Sequence, residues 1–239
     1  ASANPEDYTN RGRIITPLKD RFGAEIRTHY PREVTEEVSV ISQEAQLVAE
    51  VPAHLLEVLA RFTRALRAST SVDQRSGVSA RFAIAGAETI AASALHRATV
   101  RREDRAVARV VDLETAVEVL GGKIEFETGE EGREAEILAH LLRTAIAETV
   151  REHLRGVDLR PLVEAVEAGA TVTTGPRVTA HDLLAGLPAL EGDLYDVIAD
   201  RLGATDRGSR AGAIELALEG LWLARKIGKD TDGGETTYG

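Results

Sequence analysis

The chain of 239 residues contains no cysteine and no methionine, and its aromatics number four Phe, four Tyr and one Trp. Without cysteine there are no disulfides, no thiolate metal sites and no Cys nucleophile, which fits a reducing compartment and a cytoplasmic location. Few aromatics leave a core of Ala, Leu and Val, suited to packed helices more than to a β-sandwich. No apolar run approaches the roughly 18 residues of a membrane span, and the opening residues have no signal-peptide pattern. Positive charge is in deficit: 29 Lys and Arg against 39 Asp and Glu give a net charge of −10. That balance argues against a protein that wraps nucleic acid over a large face. With no methionine, and an opening Ala-Ser-Ala-Asn-Pro that reads as the end of a buried strand, we expect the C-terminal part of a longer protein.

What is present is mostly helical periodicity. Val34, Val38, Ile41, Ala45 and Val48 form one apolar stripe, and Leu55, Leu59, Phe62 and Leu66 a second. An Ala-rich helix is predicted from about Ser79, with Phe82, Ala83, Ala87, Ile90, Ala94 and Leu95. The charged run 101–105 reads as a solvated connection. Asp112 reads as the cap of a short helix that stops at Gly121 and Gly122, and 123–127 as a short strand or extended loop. Residues 129–133, polar and glycine-containing, are the expected domain boundary. Beyond them, Ile137 to Val150 presents a wide apolar face, and Leu159 to Val166 another. Thr179 with Asp182 resembles a capping box, and helices follow around Leu194 to Leu202 and from Ser209 to Trp222. Residues 229–239, polar and rich in Gly and Thr, read as a disordered tail. Residues 24–30 alternate as a strand does.

Most searches for chemistry fail. Gly122 and Lys123 lack the spacing and the following Ser or Thr of a phosphate-binding loop. The six histidines show no ligand spacing, so no metal site is expected. No serine lies in a nucleophile elbow. The densest stretch is the first: Asn4, Pro5, Glu6 and Asp7, then Arg11 and Arg13, then Thr16-Pro17-Leu18-Lys19-Asp20-Arg21-Phe22-Gly23, where Thr16, Pro17 and Gly23 suit the start and stop of a helix. Taken singly, these residues read as a helix cap and a surface ion pair. Arg81 is more pointed. It falls in the first turn of a predicted helix, where the macrodipole disfavours a cation by roughly 0.3–1 kcal/mol. A bound anion would reverse that sign; a solvated arginine is the plain alternative.

Asn-Pro-Glu-Asp, Pro-Leu-Lys-Asp-Arg-Phe-Gly, a strand, a helix opening Pro-Arg-Glu-Val and a later Ser-Ala-Arg-Phe occur in that order over residues 3–126. The set resembles the second half of an AAA+ ATPase module similar to the ATPase subunit of magnesium chelatase. The resemblance implies the last strands of an AAA+ α/β core in 1–30 and a helical lid in 31–128; with the C-terminal helical extension that periodicity predicts in 129–228, the chain is expected to be mainly α. It implies that Asn4 is the sensor-1 residue beside the terminal phosphate and Arg81 the sensor-2 arginine of the lid. Arg21 is then the preferred arginine finger reaching a neighbouring subunit, with Asp20, Arg11 and Arg13 at that interface. An arginine finger is worth about 10³–10⁵ in rate in GTPases. ATP and Mg²⁺ are the implied cofactors, held mainly by a phosphate loop and acidic strand that this chain lacks, so alone it is expected to be inactive. The implied partners are further copies in a ring, expected to be a hexamer, and a protein with a von Willebrand A-type domain. Its task would be remodelling that partner or activating a metal-chelatase complex. The alternatives are a non-enzymatic helical interaction module and a DNA-remodelling AAA+ ATPase.

Overall fold

Leu55, Leu59, Phe62 and Leu66, the stripe expected from periodicity, all point inward and are 0–2% exposed in the computed structural model, which describes residues 21–24, 26–73 and 76–239. They belong to α2 (Ala53–Ala68), which follows α1 (Val34–Glu44) and the extended Pro52. The start of α1 is closed by Glu36, whose carboxylate accepts the Arg32 and Glu33 N–H groups at 2.8 and 3.3 Å. These are donors that a helix cannot satisfy internally. α3 (Ala80–Arg101) begins after Ser79, as expected, and ends at Arg102 in the left-handed region, φ 58°. Its buried face includes Ala83, Gly86, Ala87, Ala91 and Ala94, small residues that let neighbouring helices approach closely, beside the larger Phe82, Ile90 and Arg97.

α4 (Val110–Leu120) runs into a single 3₁₀ turn, Gly121–Lys123. After it come α5 (Glu134–His153), α6 (Arg160–Glu167), α7 (Ala180–Ala185), α8 (Leu194–Arg201) and α9 (Arg207–Leu223). The fold is thus mainly α. α9 is a central helix: every residue from 211 to 221 is buried. Asp206, and not Ser209, caps it, its carboxylate accepting the Gly208 and Ser209 N–H groups at 2.8 and 3.3 Å. Thr179 caps α7, accepting the Asp182 N–H at 3.1 Å.

Two local expectations need correction. The tail is not disordered. β2 (Lys229–Asp232) and β3 (Glu235–Tyr238) form a hairpin, and β1 (Val172–Thr174) completes an antiparallel sheet in the order β1-β3-β2. Val172 pairs with Tyr238, and Asp232 with Glu235. The two-residue loop is Gly233-Gly234, at φ 57° and 84°, the positive values that a tight primed hairpin turn demands. The alternating stretch at 24–30 forms no strand: its described residues are exposed and lie in no ladder. Residues 123–127 fall between the two expected forms, since Phe126 makes one isolated antiparallel bridge to Val72.

Residues 129–133 do separate helices, but not cores. One cluster of buried side chains includes Ile41, Leu59, Phe82 and Leu120 from one side of that segment, and Ile146, Leu162, Ile214 and Tyr238 from the other. α2 packs extensively on α5, and α5 on α9. Among the described residues, no helix is long and apolar enough to cross a membrane.

Candidate functional site

At the N-terminus of α3 lies a cleft of about 390 Å³, lined by Tyr30, Ser76, Gly77, Val78, Ser79, Arg81, Phe82 and Lys123. Its walls come from distant parts of the chain, and a chain of polar contacts holds them. Arg67, on α2, is the centre of that scaffold. Its guanidinium forms a two-bond pair with buried Glu37 of α1, at 2.5 and 2.9 Å. It donates through Nε to the Val78 carbonyl at 2.8 Å and lies 4.2 Å from the centroid of the Tyr30 ring. One buried ion pair thereby fixes both Tyr30 and the approach to α3; fork geometry of this kind is specific to arginine.

The loop before α3 is anchored to the segment after α4. Asp73 donates its N–H to the Glu125 carbonyl at 2.8 Å, and Glu127 to the Ser71 carbonyl at 2.9 Å. The Ser76 hydroxyl donates to the Glu125 carboxylate. Gly77 sits at φ +66°, and a Cβ there would come within 2.8 Å of the Tyr30 hydroxyl, so this turn requires glycine twice over. These ties bring Lys123 to the same cleft as Arg81, although 42 residues separate them. Both side chains are exposed, and neither forms an ion pair with a described residue.

No carboxylate is among the described lining residues, which carry two positive charges, Arg81 and Lys123, on a chain of charge −10. The first-turn amides of α3 add the positive end of a helix dipole. A second cleft, of about 410 Å³ at Arg61, Glu148, Arg151, Glu152 and Arg155, mixes both signs, and Arg61 there is already paired with Glu152. Of these two clefts, the first is the one whose described lining is charged with cations alone.

The other residues singled out in the sequence fall differently. Asn4, Arg11, Arg13 and Asp20 lie outside the described residues. Arg21 lies in an exposed turn and makes no ion pair with a described residue. Asp112 closes the start of α4, as expected, but does so from inside the helix and buried. It sits in the third helical position, 1% exposed, and accepts the Arg109 N–H at 2.9 Å, the Ser93 hydroxyl at 2.8 Å and Arg97 at 3.0 Å. The run at 101–105 is not simply a solvated connection. Glu103 accepts from Arg97 at 2.7 Å and from the Ala180 N–H at 2.7 Å, tying α3 to α7. Arg109, fully buried, donates to the Gly175 and Val178 carbonyls at 3.0 and 2.7 Å and lies 3.7 Å from Glu215 of α9. Burial pushes the Glu215 carboxyl upward, and Arg109 opposes that shift.

Lys123, Tyr30 and Arg67 were not legible as members of a site. Lys123 follows a Gly-Gly pair that fails every phosphate-loop test, and its relation to Arg81 depends on the 71–73 and 125–127 segments pairing. No protein-family model, curated protein or solved structure matches the chain.

Proposed function

We propose that this chain is the C-terminal portion of an AAA+ ATPase similar to the magnesium-chelatase ATPase subunit, supplying its nucleotide-sensing lid and trans-acting arginine. The observation that carries the reading is Arg81, placed in the first turn of a 22-residue helix and facing a cleft whose described lining residues include two cations and no carboxylate. A cation there works against the helix dipole unless an anion joins it. A nucleotide's phosphates are anions of suitable size and charge.

In this reading Arg81 meets the terminal phosphates of ATP bound by the upstream half, and the rigid α1–α4 assembly carries that contact as a lid movement. Arg21, exposed and without a carboxylate partner among the described residues, serves the site of the next subunit in a ring. Asn4 orients water or phosphate as sensor 1, and Asp20, Arg11 and Arg13 line the subunit interface. The residues of the cleft fit phosphate oxygens; Mg²⁺ would be held by the upstream acidic strand. The energy of ATP hydrolysis would then remodel a partner, such as one bearing a von Willebrand A-type domain, or activate a metal-chelatase complex. The cytoplasm is the expected setting.

The test is made on the full-length protein. Arg21→Ala should lower ATP turnover about 10³-fold or more, the scale of arginine fingers elsewhere, with nucleotide binding retained. Mixing these subunits with subunits mutated in the phosphate loop should recover activity, because each then supplies what the other lacks. Unchanged turnover in Arg21→Ala would remove the finger role.

A further inference from the structure

We infer that Lys123 is a second phosphate-contacting residue of the α3 cleft, and that the pair Arg81 and Lys123 distinguishes a nucleoside triphosphate from a diphosphate. The inference rests on the nucleotide-sensing reading of the cleft and adds to it a residue and a specificity.

Three observations carry it. Lys123 and Arg81 both line the same 390 Å³ cleft, one from the end of α4 and one from the start of α3. The nearest acid in sequence, Glu125, takes the Ser76 hydroxyl and is not part of the lining. Lys123 forms no ion pair with a described residue, so no carboxylate within that set competes with a ligand. The position of Lys123 is also fixed by structure. The 3₁₀ turn at Gly121–Lys123 ends in the Ile124 N–H to Gly121 carbonyl bond at 3.1 Å, and the Val72–Phe126 bridge holds the extended segment that follows.

The division of labour follows from chemistry. Arginine presents a planar fork that matches two oxygens of one phosphate; lysine is a compact point charge that responds to total charge. Each additional negative charge at about 4 Å from such an ammonium, in a water-exposed cleft, strengthens binding by ~5-fold. The extra phosphate of a triphosphate brings that charge, so Lys123 favours it over a diphosphate. An arginine in the same place keeps the charge and should keep most of the preference.

Titrating the full-length protein with fluorescent ATPγS and fluorescent ADP tests this. Lys123→Ala should weaken ATPγS binding by ~5-fold or more, weaken ADP binding less, and leave the thermal melt unchanged because the side chain is exposed. Lys123→Arg should restore the triphosphate preference. Equal affinities in wild type and Lys123→Ala, with Arg81→Ala impaired, would overturn the Lys123 assignment and leave the sensing role of Arg81 in place. Equal affinities in all three proteins, or no nucleotide binding by the wild type, would overturn both. Equal losses for ATPγS and ADP in Lys123→Ala would overturn the discrimination.

Discussion

His54 is 1% exposed on α2, with Nδ1 3.2 Å from the Leu202 carbonyl and no partner at Nε2. A carbonyl only accepts, so Nδ1 carries a proton, and burial favours the neutral ring. Burial pushes its pKa down from an ordinary 6.5 to about 4; the Leu202 bond opposes this, and His153 adds to it. The consequence for stability has a definite sign. Between about pH 4 and pH 6.5 the unfolded chain binds a proton there that the folded chain refuses, so stability rises with pH across this window. Acidification from 6.5 towards 4 removes roughly 3 kcal/mol by this route. His54→Asn keeps a donor near the Nδ1 position and does not titrate. Urea melts at pH 7 and pH 4.5 should therefore show a smaller acid loss in the variant. Identical losses would exclude His54 as the cause.

Other buried charges are held by pairing. Glu219 receives Lys229 at 2.9 Å and the Tyr238 hydroxyl at 2.5 Å, which binds the C-terminal hairpin to α9. Burial and the Glu219 charge both push the Tyr238 phenol upward, so it stays a donor.

At the scale of elements, α9 and α5 meet through a glycine. A Cβ on Gly220 would come within 2.5 Å of Val150 Cγ1 and 3.0 Å of Cγ2. Val150 is β-branched on a buried face, so no rotamer clears the contact cheaply. Alanine in place of a mid-helix glycine ordinarily gains up to about 1 kcal/mol, whereas overpacking costs about 1–3 kcal/mol. Overpacking should win. Gly220→Ala is expected to lose about 1–2 kcal/mol net in urea denaturation, and the loss should be smaller when Val150→Ala is present. A stabilised Gly220→Ala would show that the helices separate freely. The hairpin teaches a related lesson. Asp232-Gly233-Gly234 between Thr-bearing segments is a legible turn signal, but two exposed polar strands are marginal alone. They persist because β1, distant in sequence, pairs with β3 and because Lys229 and Tyr238 reach Glu219.

For the molecule as a whole, the central point is that residues 129–133 divide helices without dividing the core. The faces of α2 and α5 that meet across this segment carry buried apolar side chains and would be exposed if the chain were cut there. Expressed separately, residues 31–128 and 134–239 should each give poorly dispersed NMR spectra, and co-expression should restore dispersion. Two independent thermal transitions in the intact chain would contradict a shared core. Rigid coupling also matters for the proposed lid. Arg97–Glu103–Ala180 and Arg109–Gly175 join the helices around Arg81's cleft to the C-terminal helices, so a movement at the cleft would carry both.

Much of this was readable before any coordinates. Period and composition determined the helices around Leu55–Leu66, Phe82–Ala94 and Ile137–Val150, because burial of one face selects the 3.6-residue repeat whatever that face meets. The same local logic placed Ser79 before α3 and Arg81 in its first turn. It could not decide whether 24–30 would find a sheet or whether 229–239 would order, nor show that Asp112, besides closing the start of α4, would be buried against Arg97. Each of those outcomes depends on a partner distant in sequence. The cleft is the clearest case. Arg81 was visible as an oddly placed cation, but Lys123 became its neighbour only because Asp73 and Glu127 bond across two loops and Arg67 pins Tyr30 and Val78. Local sequence determines the shape of a segment; which charges share one small volume of solvent is decided by tertiary packing alone.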